Sequence, residues 1–169
     1  MYSRRGSQAP HWAKQDFARR SYNARSETVA QRPSFRSAWR QRQLGIVPVQ
    51  AFFEPNYESG KPVRWRIERN DGQPFGLAAI WEQRRRDDGT NQWSFSMLTI
   101  NADEHALMRR FHRPGSEKRS IVMLADDDWN TWLNARSEEE ARRLIRPFKA
   151  DLMCGQPDPR PLRQAQTGV

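Results

Sequence analysis

Residues 63–81 read VRWRIERNDGQPFGLAAIW, and this stretch carries the clearest structural pattern in the chain. Apolar and polar residues alternate from Val63 to Arg69, as in a strand with one buried face. The turn-forming residues 70–72, Asn-Asp-Gly, then lead into a second apolar segment at 75–81. The sequence therefore predicts a β-hairpin here, and with it a fold built on antiparallel strands.

Strands and helices are predicted on both sides of this hairpin, without a regular alternation between them. Further strands are predicted at 45–53, 93–100 and 120–124. Within the first of these, Pro48 indicates an edge or a bulge. Helices are predicted at 33–42, 103–111, 126–133 and 137–145, the last opened by a capping box that starts at Ser137. This arrangement indicates an α+β fold with a largely antiparallel sheet and peripheral helices.

Length and composition indicate a single domain. With 169 residues and a mean hydropathy of -1.00, the chain can form one modest core. We expect the domain to span 1–150 and the Pro-rich residues 151–169 to be a disordered tail. No apolar segment approaches the ~20 residues of a membrane span, and no apolar signal region follows Met1. We therefore expect a cytoplasmic monomer without membrane contact.

The net charge is +9, and arginine carries most of it, with 25 Arg against 4 Lys. A positive charge of this size favours polyanionic partners through counterion release, and arginine adds bidentate contacts to phosphate. The alternative is that a GC-rich genome has replaced lysine codons with arginine codons on an ordinary surface. Composition supports both interpretations about equally, so charge alone does not decide between them.

The sequence gives little indication of a metal site or a bound cofactor. The chain has one cysteine, Cys154, so an intrachain disulfide is impossible and a cysteine-based zinc site has too few ligands. The three histidines, His11, His105 and His112, show no metal-ligand spacing. We expect no metal and no cofactor.

Two short segments in the first third of the chain contain residue types that could carry chemistry. The first comprises Asn23, Arg25 and Glu27, preceded by Trp12. These residues could orient a substrate and hold a phosphate, or they could form an ordinary solvated loop. The second is Glu54, which follows an apolar run. Burial beside a core would raise its pKa and suit it to proton transfer, whereas a strand-end glutamate in water would have no such role.

A third segment comprises His112 and Arg113, with Lys118 and Arg119 shortly after. A histidine beside a basic loop could act as an acid or a base next to a phosphate. It could equally be a cation at the C-terminus of the helix predicted over 103–111.

In this order and spacing, these segments resemble the SOS response-associated peptidase (SRAP) family. The family's Asn-Ala-Arg-x-Glu-Thr segment matches 23–28, its strand ending in an aromatic-Phe/Tyr-Glu motif matches 47–54, and its histidine before a basic loop and an apolar strand matches 112–124. The segments 69–82 and 126–133 also fit the family's spacing. Each motif is weak alone, but five in register are specific. The resemblance implies an SRAP-like, open barrel-like sheet whose first strands are missing here.

The resemblance also implies a covalent chemistry at abasic sites in single-stranded DNA. In the family, a cysteine follows the initiator methionine and becomes the N-terminus. Its α-amine condenses with the ring-opened aldehyde of the abasic sugar to give an imine, and its thiol then closes a thiazolidine. An asparagine positions the amine, a glutamate relays protons and a histidine assists. The matching residues here are Asn23, Glu54 and His112.

The resemblance further implies a groove that binds the DNA strand. The expected DNA contacts are an aromatic ring that stacks on a base and arginines that hold phosphate. In this sequence they are Trp12, Arg25, Arg113 and Arg119.

The sequence departs from the family at the nucleophile. Position 2 is Tyr2, and it precedes Asn23 by 21 positions, where the family has several tens of residues. We expect that the segment bearing the cysteine is missing, through a misplaced gene start, a truncation or a degraded copy. Cys154 lies far from any N-terminus and cannot supply a paired amine and thiol.

Three interpretations of function remain open. The first is an abasic site processing protein of the SRAP family, with self-processing peptidase and lyase-type chemistry that depends on the absent cysteine. The second is a non-catalytic remnant that binds single-stranded DNA. The third is a small basic interaction protein whose charge reflects codon use.

Overall fold

Nine strands form two sheets in residues 21–159, the part of the chain that the computed structural model describes. The larger sheet contains β1 (Asn23–Arg25), β2 (Leu44–Val49), β5 (Phe75–Arg85), β6 (Asn91–Asn101), β7 (Arg119–Ile121) and β8 (Met123–Leu124). The smaller sheet contains β3 (Phe52–Asn56), β4 (Val63–Arg69) and β9 (Met153–Pro157). The α-helices are α1 (Arg36–Arg40), α2 (Trp129–Leu133) and α3 (Glu138–Arg143).

Antiparallel pairing dominates both sheets. The larger sheet has the order β1-β6-β5-β2, with β7 beside β6 and β8 beside β5. Among the described strands, only β1 and β6 pair in parallel. The mixed sheet curves into a half-barrel with few helices, so the predicted α+β fold with a largely antiparallel sheet is confirmed.

The strand predicted over 45–53 is two strands. β2 ends at Val49 and β3 begins at Phe52, because the chain crosses here from the larger sheet to the smaller one. The edge position predicted for Pro48 is confirmed, since β2 is an edge strand and needs no N–H on its outer side. As a consequence, Glu54 lies inside β3 and not after the end of a strand.

The hairpin predicted from 63–81 does not form, although both of its strands do. β4 pairs with β3 and β9, whereas β5 pairs in the other sheet with β2, β6 and β8. Gly72 does make a tight turn, with φ 72°. Pro74 directly before β5 has no N–H to donate to a ladder with β4, and the chain continues into the larger sheet. The long hairpin of the molecule is β5–β6 instead.

The two faces of the larger sheet bury separate cores. Ala24 and Leu98 point to one face and pack with Trp132 of α2. Met97, the neighbour of Leu98 in β6, points to the other face, where Leu77 of β5 packs with Phe52 of the smaller sheet. Side chains that leave β1 on this second face therefore point into the same space as those on the inner side of β3.

Gly76 in β5 allows Trp129 of α2 to pack directly on the backbone of the sheet. A Cβ atom at this position would lie 2.5 Å from Cε2 and 2.6 Å from Nε1 of the indole. The close approach seats the start of α2 against the sheet, and only glycine leaves room for it.

The helices predicted over 33–42, 126–133 and 137–145 are found as α1, α2 and α3. Ser137 caps α3 as predicted, since its side chain accepts a hydrogen bond from the N–H of Glu140. The helix predicted over 103–111 is wrong, because only the 3₁₀ turn Met108–Arg110 forms there. Nδ1 of His105 accepts hydrogen bonds from the N–H groups of Leu107 and Met108, which are thereby withdrawn from a helical ladder.

The disordered tail expected over 151–169 is corrected in its first part. Met153–Pro157 forms β9, which pairs antiparallel to β4 and buries Met153 in the core between the sheets. The apolar contacts of Met153 and the pairing of β9 with β4 stabilise a strand here in spite of the Pro-rich composition. Residues 160–169 lie outside the described residues, as does Trp12. Within 21–159, no helix is long and apolar enough to cross a membrane.

Candidate functional site

Glu54 and His112 meet at the inner side of the smaller sheet. In β3 the side chains alternate, with Phe52 and Asn56 buried and Phe53 exposed, so Glu54 points inward with Phe52. Nδ1 of His112 lies 3.8 Å from Oε2 of Glu54. This is too long for a hydrogen bond, but a small movement, or an atom of a bound substrate, would connect the two groups.

Two contacts fix the position of His112. Its backbone N–H donates to the carbonyl of Pro55 at 3.0 Å, which ties the residue to β3. The preceding Phe111 is fully buried and forms a β-bridge with Asn56. Between these anchors His112 adopts φ 65°, a left-handed conformation that costs a non-glycine residue roughly 1–3 kcal/mol. Such strain is held in place by the surrounding structure and is common where a side chain must point in a required direction.

The hydrogen bonding of His112 determines its tautomer. Nε2 lies 2.8 Å from the backbone oxygen of Arg119, and a carbonyl oxygen can only accept a hydrogen bond. Nε2 must therefore carry the hydrogen. In the neutral ring, Nδ1 then has the free lone pair, and this is the atom that faces Glu54.

Burial raises the pKa of the Glu54 carboxyl above its usual value, and the nearby charge of His112 opposes this shift only in part. The side chain is 17% exposed, which leaves one approach to it open. A carboxyl with a raised pKa keeps its proton closer to neutral pH than an ordinary glutamate does. Glu54 and His112 can therefore share one proton, with the acid on the carboxyl and the lone pair on Nδ1.

β1 places Asn23 and Arg25 on the face of the larger sheet that looks toward β3. The pairing of β1 with β6 puts Asn23 beside Met97 and Arg25 beside Thr99, and the intervening Ala24 points to the opposite core. Within residues 21–159, no hydrogen bond or ion pair joins Asn23 to Glu54 or His112. The structure thus brings Glu54 and His112 into contact and places Asn23 on the facing wall.

Arg119 is bound by protein groups and not by solvent. Its guanidinium forms ion pairs with Glu27 and Glu117 at 2.8 Å each, and donates to the carbonyl of Thr99. The side chain is only 13% exposed. Hydrogen bonds from Arg119 hold the pKa of Glu27 below its usual value. Through these contacts Arg119 fixes the loop after His112 to β6 and to the segment after β1. The sequence does not indicate this structural role.

The remaining predicted DNA contacts differ in their surroundings. Arg25 is exposed but forms an ion pair with Glu117 at 2.7 Å. Arg113 is exposed, and within the described residues its guanidinium has no ion-pair partner. A groove of about 740 Å³ passes His112 and contains the cations Arg109 and Lys118. The acids Glu58 and Asp103 also line this groove, so its charge is mixed.

His105 and Cys154 lie apart from this site. Nε2 of His105 bonds to the carbonyl of Phe148, and its Nδ1 accepts backbone N–H groups, so both ring nitrogens have structural roles. Cys154 is exposed and pairs with Glu68 across β9 and β4, on the side of the smaller sheet opposite to Ile67 and the core. Within residues 21–159, no three His, Cys, Asp or Glu side chains are grouped so that they could hold a metal ion.

A family model described as SOS response associated peptidase (SRAP) matches residues 5–157. The abasic site processing protein YoqW of Bacillus subtilis (strain 168) is 27% identical over 148 residues, which cover 85% of this chain and 62% of that protein. The abasic site processing protein YoaM of the same organism is 28% identical over 148 residues, with coverage of 85% and 62%. The chain spans about three fifths of the length of these relatives.

Solved structures share the fold. A crystal structure of a protein from Bordetella bronchiseptica matches with a TM-score of 0.81 and 38% identity, covering 90% of this chain and 74% of that one. A protein from Bacteroides thetaiotaomicron matches with a TM-score of 0.75 and 24% identity, covering 90% and 66%. The second likeness concerns the fold alone.

Proposed function

Because this chain belongs to the SOS response associated peptidase (SRAP) family, we propose that it binds single-stranded DNA at abasic sites and acts there through Asn23, Glu54 and His112. The observation that carries this proposal is the contact of Glu54 with His112, with Nδ1 and Oε2 3.8 Å apart and the carboxyl pKa raised by burial. The names of the curated relatives, abasic site processing proteins, agree with a DNA substrate of this kind.

The first chemical step suits a pair that shares one proton. An abasic deoxyribose is mostly a closed hemiacetal, and it opens when the C1′ hydroxyl loses a proton while the ring oxygen gains one. Nδ1 of His112 can accept the first proton and the carboxyl of Glu54 can donate the second. No atoms are gained or lost, and the product is the open aldehyde.

The second step is condensation of the aldehyde with an amine. After ring opening, the proton lies on His112 and Glu54 is a carboxylate. As the amine adds, Glu54 takes a proton from its nitrogen and His112 returns one to the new alkoxide, which gives a carbinolamine. Glu54 then gives its proton to the leaving hydroxyl, and loss of water forms the protonated imine. Asn23, on the facing wall, can hold the amine by hydrogen bonding. Closure to a thiazolidine further requires a thiol next to that amine.

Among residues 21–159 the thiol is that of Cys154, which lies on the outward side of the smaller sheet, away from Glu54 and His112. Its position favours a second candidate function, in which the chain binds abasic single strands without a stable covalent link. The two candidates differ only in the N-terminal cysteine, so the same groove and the same proton-sharing pair serve both.

We assign contact with the DNA phosphates to the exposed arginines Arg25 and Arg113. Arg113 directly follows His112 in the chain, and a phosphate could replace Glu117 as the partner of Arg25. Arg119 stays a prediction as a DNA contact, although its bonding to Glu27 favours a supporting role. Trp12 likewise stays a prediction, as a ring that stacks on a base.

Fluorescence anisotropy with an abasic single strand and its duplex, over a salt series, tests the proposal. We expect tighter binding of the single strand and a fall in affinity as salt rises, because released counterions drive binding. Arg25→Ala should weaken binding and reduce the salt slope, whereas Arg143→Ala, which removes an exposed charge from α3, should not. Tighter duplex binding, or no salt slope, would overturn the proposal. Denaturing electrophoresis of the same mixtures then separates the two candidates, since only the first gives a heat-stable band.

A further inference from the structure

Glu117, in the loop between His112 and β7, bridges two arginines. One oxygen of its carboxylate lies 2.7 Å from Nη1 of Arg25, and the other lies 2.8 Å from Nη1 of Arg119. Hydrogen bonds from Arg119 and from Arg25 hold the pKa of Glu117 below its usual value, so the group is a carboxylate at neutral pH. A single anion thus joins β1 to the loop after His112.

The other acid on Arg119 is held more firmly. Glu27 places both of its oxygens on this guanidinium, at 2.8 and 2.9 Å, and one of them also accepts from the backbone N–H of Asn101. Arg119 therefore already has a full counter-charge before Glu117 reaches it. Of the two acids, Glu117 is the one that a competing anion can displace more easily.

The position of the Glu117 carboxylate suits a DNA phosphate. A phosphodiester has one negative charge and two free oxygens, as a carboxylate has, and arginine binds both groups through paired hydrogen bonds. Arg25 and Arg119 together with Glu27 and Glu117 carry no net charge. A phosphate that joined them without the loss of a carboxylate would leave an excess negative charge, whereas replacement of Glu117 keeps the balance.

We propose that Glu117 is an internal competitor of the DNA phosphate, which leaves Arg25 when a strand binds and thereby lowers the affinity of this chain for DNA. This inference rests on the proposed function and names a residue that sets its affinity. Rotation of the Glu117 side chain is enough for the exchange. His112 bonds to the backbone oxygen of Arg119 and not to its guanidinium, so the imidazole keeps its position.

Fluorescence anisotropy of Glu117→Gln with an abasic single strand at low salt tests the inference. Glutamine keeps the shape of the side chain but not its charge, and we expect roughly two- to five-fold tighter binding, the range of a partly exposed ion pair. Glu117→Ala removes the competitor altogether and should shift the affinity in the same direction. Glu139→Gln removes a negative charge from α3 and should have no effect. Unchanged or weaker binding by either Glu117 variant would overturn the inference.

A double-mutant cycle with Arg25→Ala distinguishes competition from plain repulsion between Glu117 and the DNA. If Glu117 competes for Arg25, its substitution has little to release once that arginine is gone. We expect the tightening by Glu117→Gln to fall to less than half in the Arg25→Ala background, and an equal tightening in both backgrounds would overturn the inference. If neither the unchanged protein nor Glu117→Gln binds the abasic strand, the proposed function fails. If both bind it equally well, only the competition by Glu117 fails.

Discussion

Nε2 of His112 lies 2.8 Å from the backbone oxygen of Arg119, and this contact sets which ring nitrogen faces Glu54. The side chain of Arg119 in turn is bound by Glu27 and Thr99, so the residue that presents this oxygen is held to β6 and to the segment after β1. Arg119 is too buried to bind substrate freely, but its backbone oxygen still determines which nitrogen of His112 faces Glu54.

The first prediction concerns that tautomer. We expect neutral His112 to carry its hydrogen on Nε2, because a carbonyl accepts that hydrogen. Long-range ¹H–¹⁵N NMR of the imidazole side chains distinguishes the two forms. His112→Ala assigns the signal, and His105 provides an internal reference, since its bonding also requires hydrogen on Nε2. A neutral Nδ1–H signal for His112 would contradict the geometry.

The second prediction concerns stability as a function of pH. Because the pKa of Glu54 is raised in the folded protein, the folded state binds this proton more tightly than the unfolded chain does. The resulting stabilisation is full below the ordinary glutamate pKa of about 4.3, and it is lost as pH rises through the raised value. Glu54→Gln removes the ionisation, so we expect the variant to unfold at a higher temperature than the unchanged protein at about pH 8.

This difference should shrink as the pH falls toward about 4, where both proteins are uncharged at position 54. Thermal unfolding followed by circular dichroism at several pH values measures it. Glu139→Gln serves as the control, because Glu139 is an exposed glutamate in α3. A difference that does not vary with pH would show that Glu54 ionises like a solvated carboxyl.

The third prediction concerns the reaction itself, in a chain extended by an SRAP N-terminus that begins with cysteine. Glu54→Gln keeps the shape of the side chain but cannot give or take a proton. We expect crosslinking to an abasic strand to slow by roughly a hundred-fold, while DNA binding stays nearly constant. Timed denaturing gels give the rate and anisotropy gives the affinity. Crosslinking at the full rate would reduce Glu54 to a structural residue.

The fourth prediction compares two strand glycines. Gly76→Ala should destabilise the fold by about 1–3 kcal/mol, because the new Cβ would overlap the indole of Trp129. Gly45→Ala is the matched control, since a Cβ there meets the nearest atom of Trp81 at an ordinary 3.5 Å. Chemical denaturation of both variants measures the difference. Equal stability would mean that α2 can shift away from the sheet without loss.

Local sequence patterns predicted the elements, and distant contacts decided how they combine. Val63 to Arg69 alternates and forms a strand, and Ser137 opens a helix, because both patterns act within a few residues. One of the two partners of that strand, β9, could not be predicted in this way, since it lies more than eighty residues further along the chain.

In the candidate site, too, local sequence predicted the residues but not the contacts between them. Glu54 and His112 were identifiable as candidates from their residue types and neighbours. Their contact depends on the left-handed backbone of His112 and on its hydrogen bond to Pro55, and neither has a signature in the sequence. The pairing of Glu27 with Arg119 is equally non-local, although both residues had been singled out separately.

The placement of prolines gives the sheet edges a further property. β2, β3 and β9 contain Pro48, Pro55 and Pro157, and each of these strands ends a row in its sheet. A proline interrupts the row of N–H groups that a foreign strand would need to add itself. Three of the four edges in the described chain are thus protected against fibril-like association. β1, the fourth of these strands, has no proline.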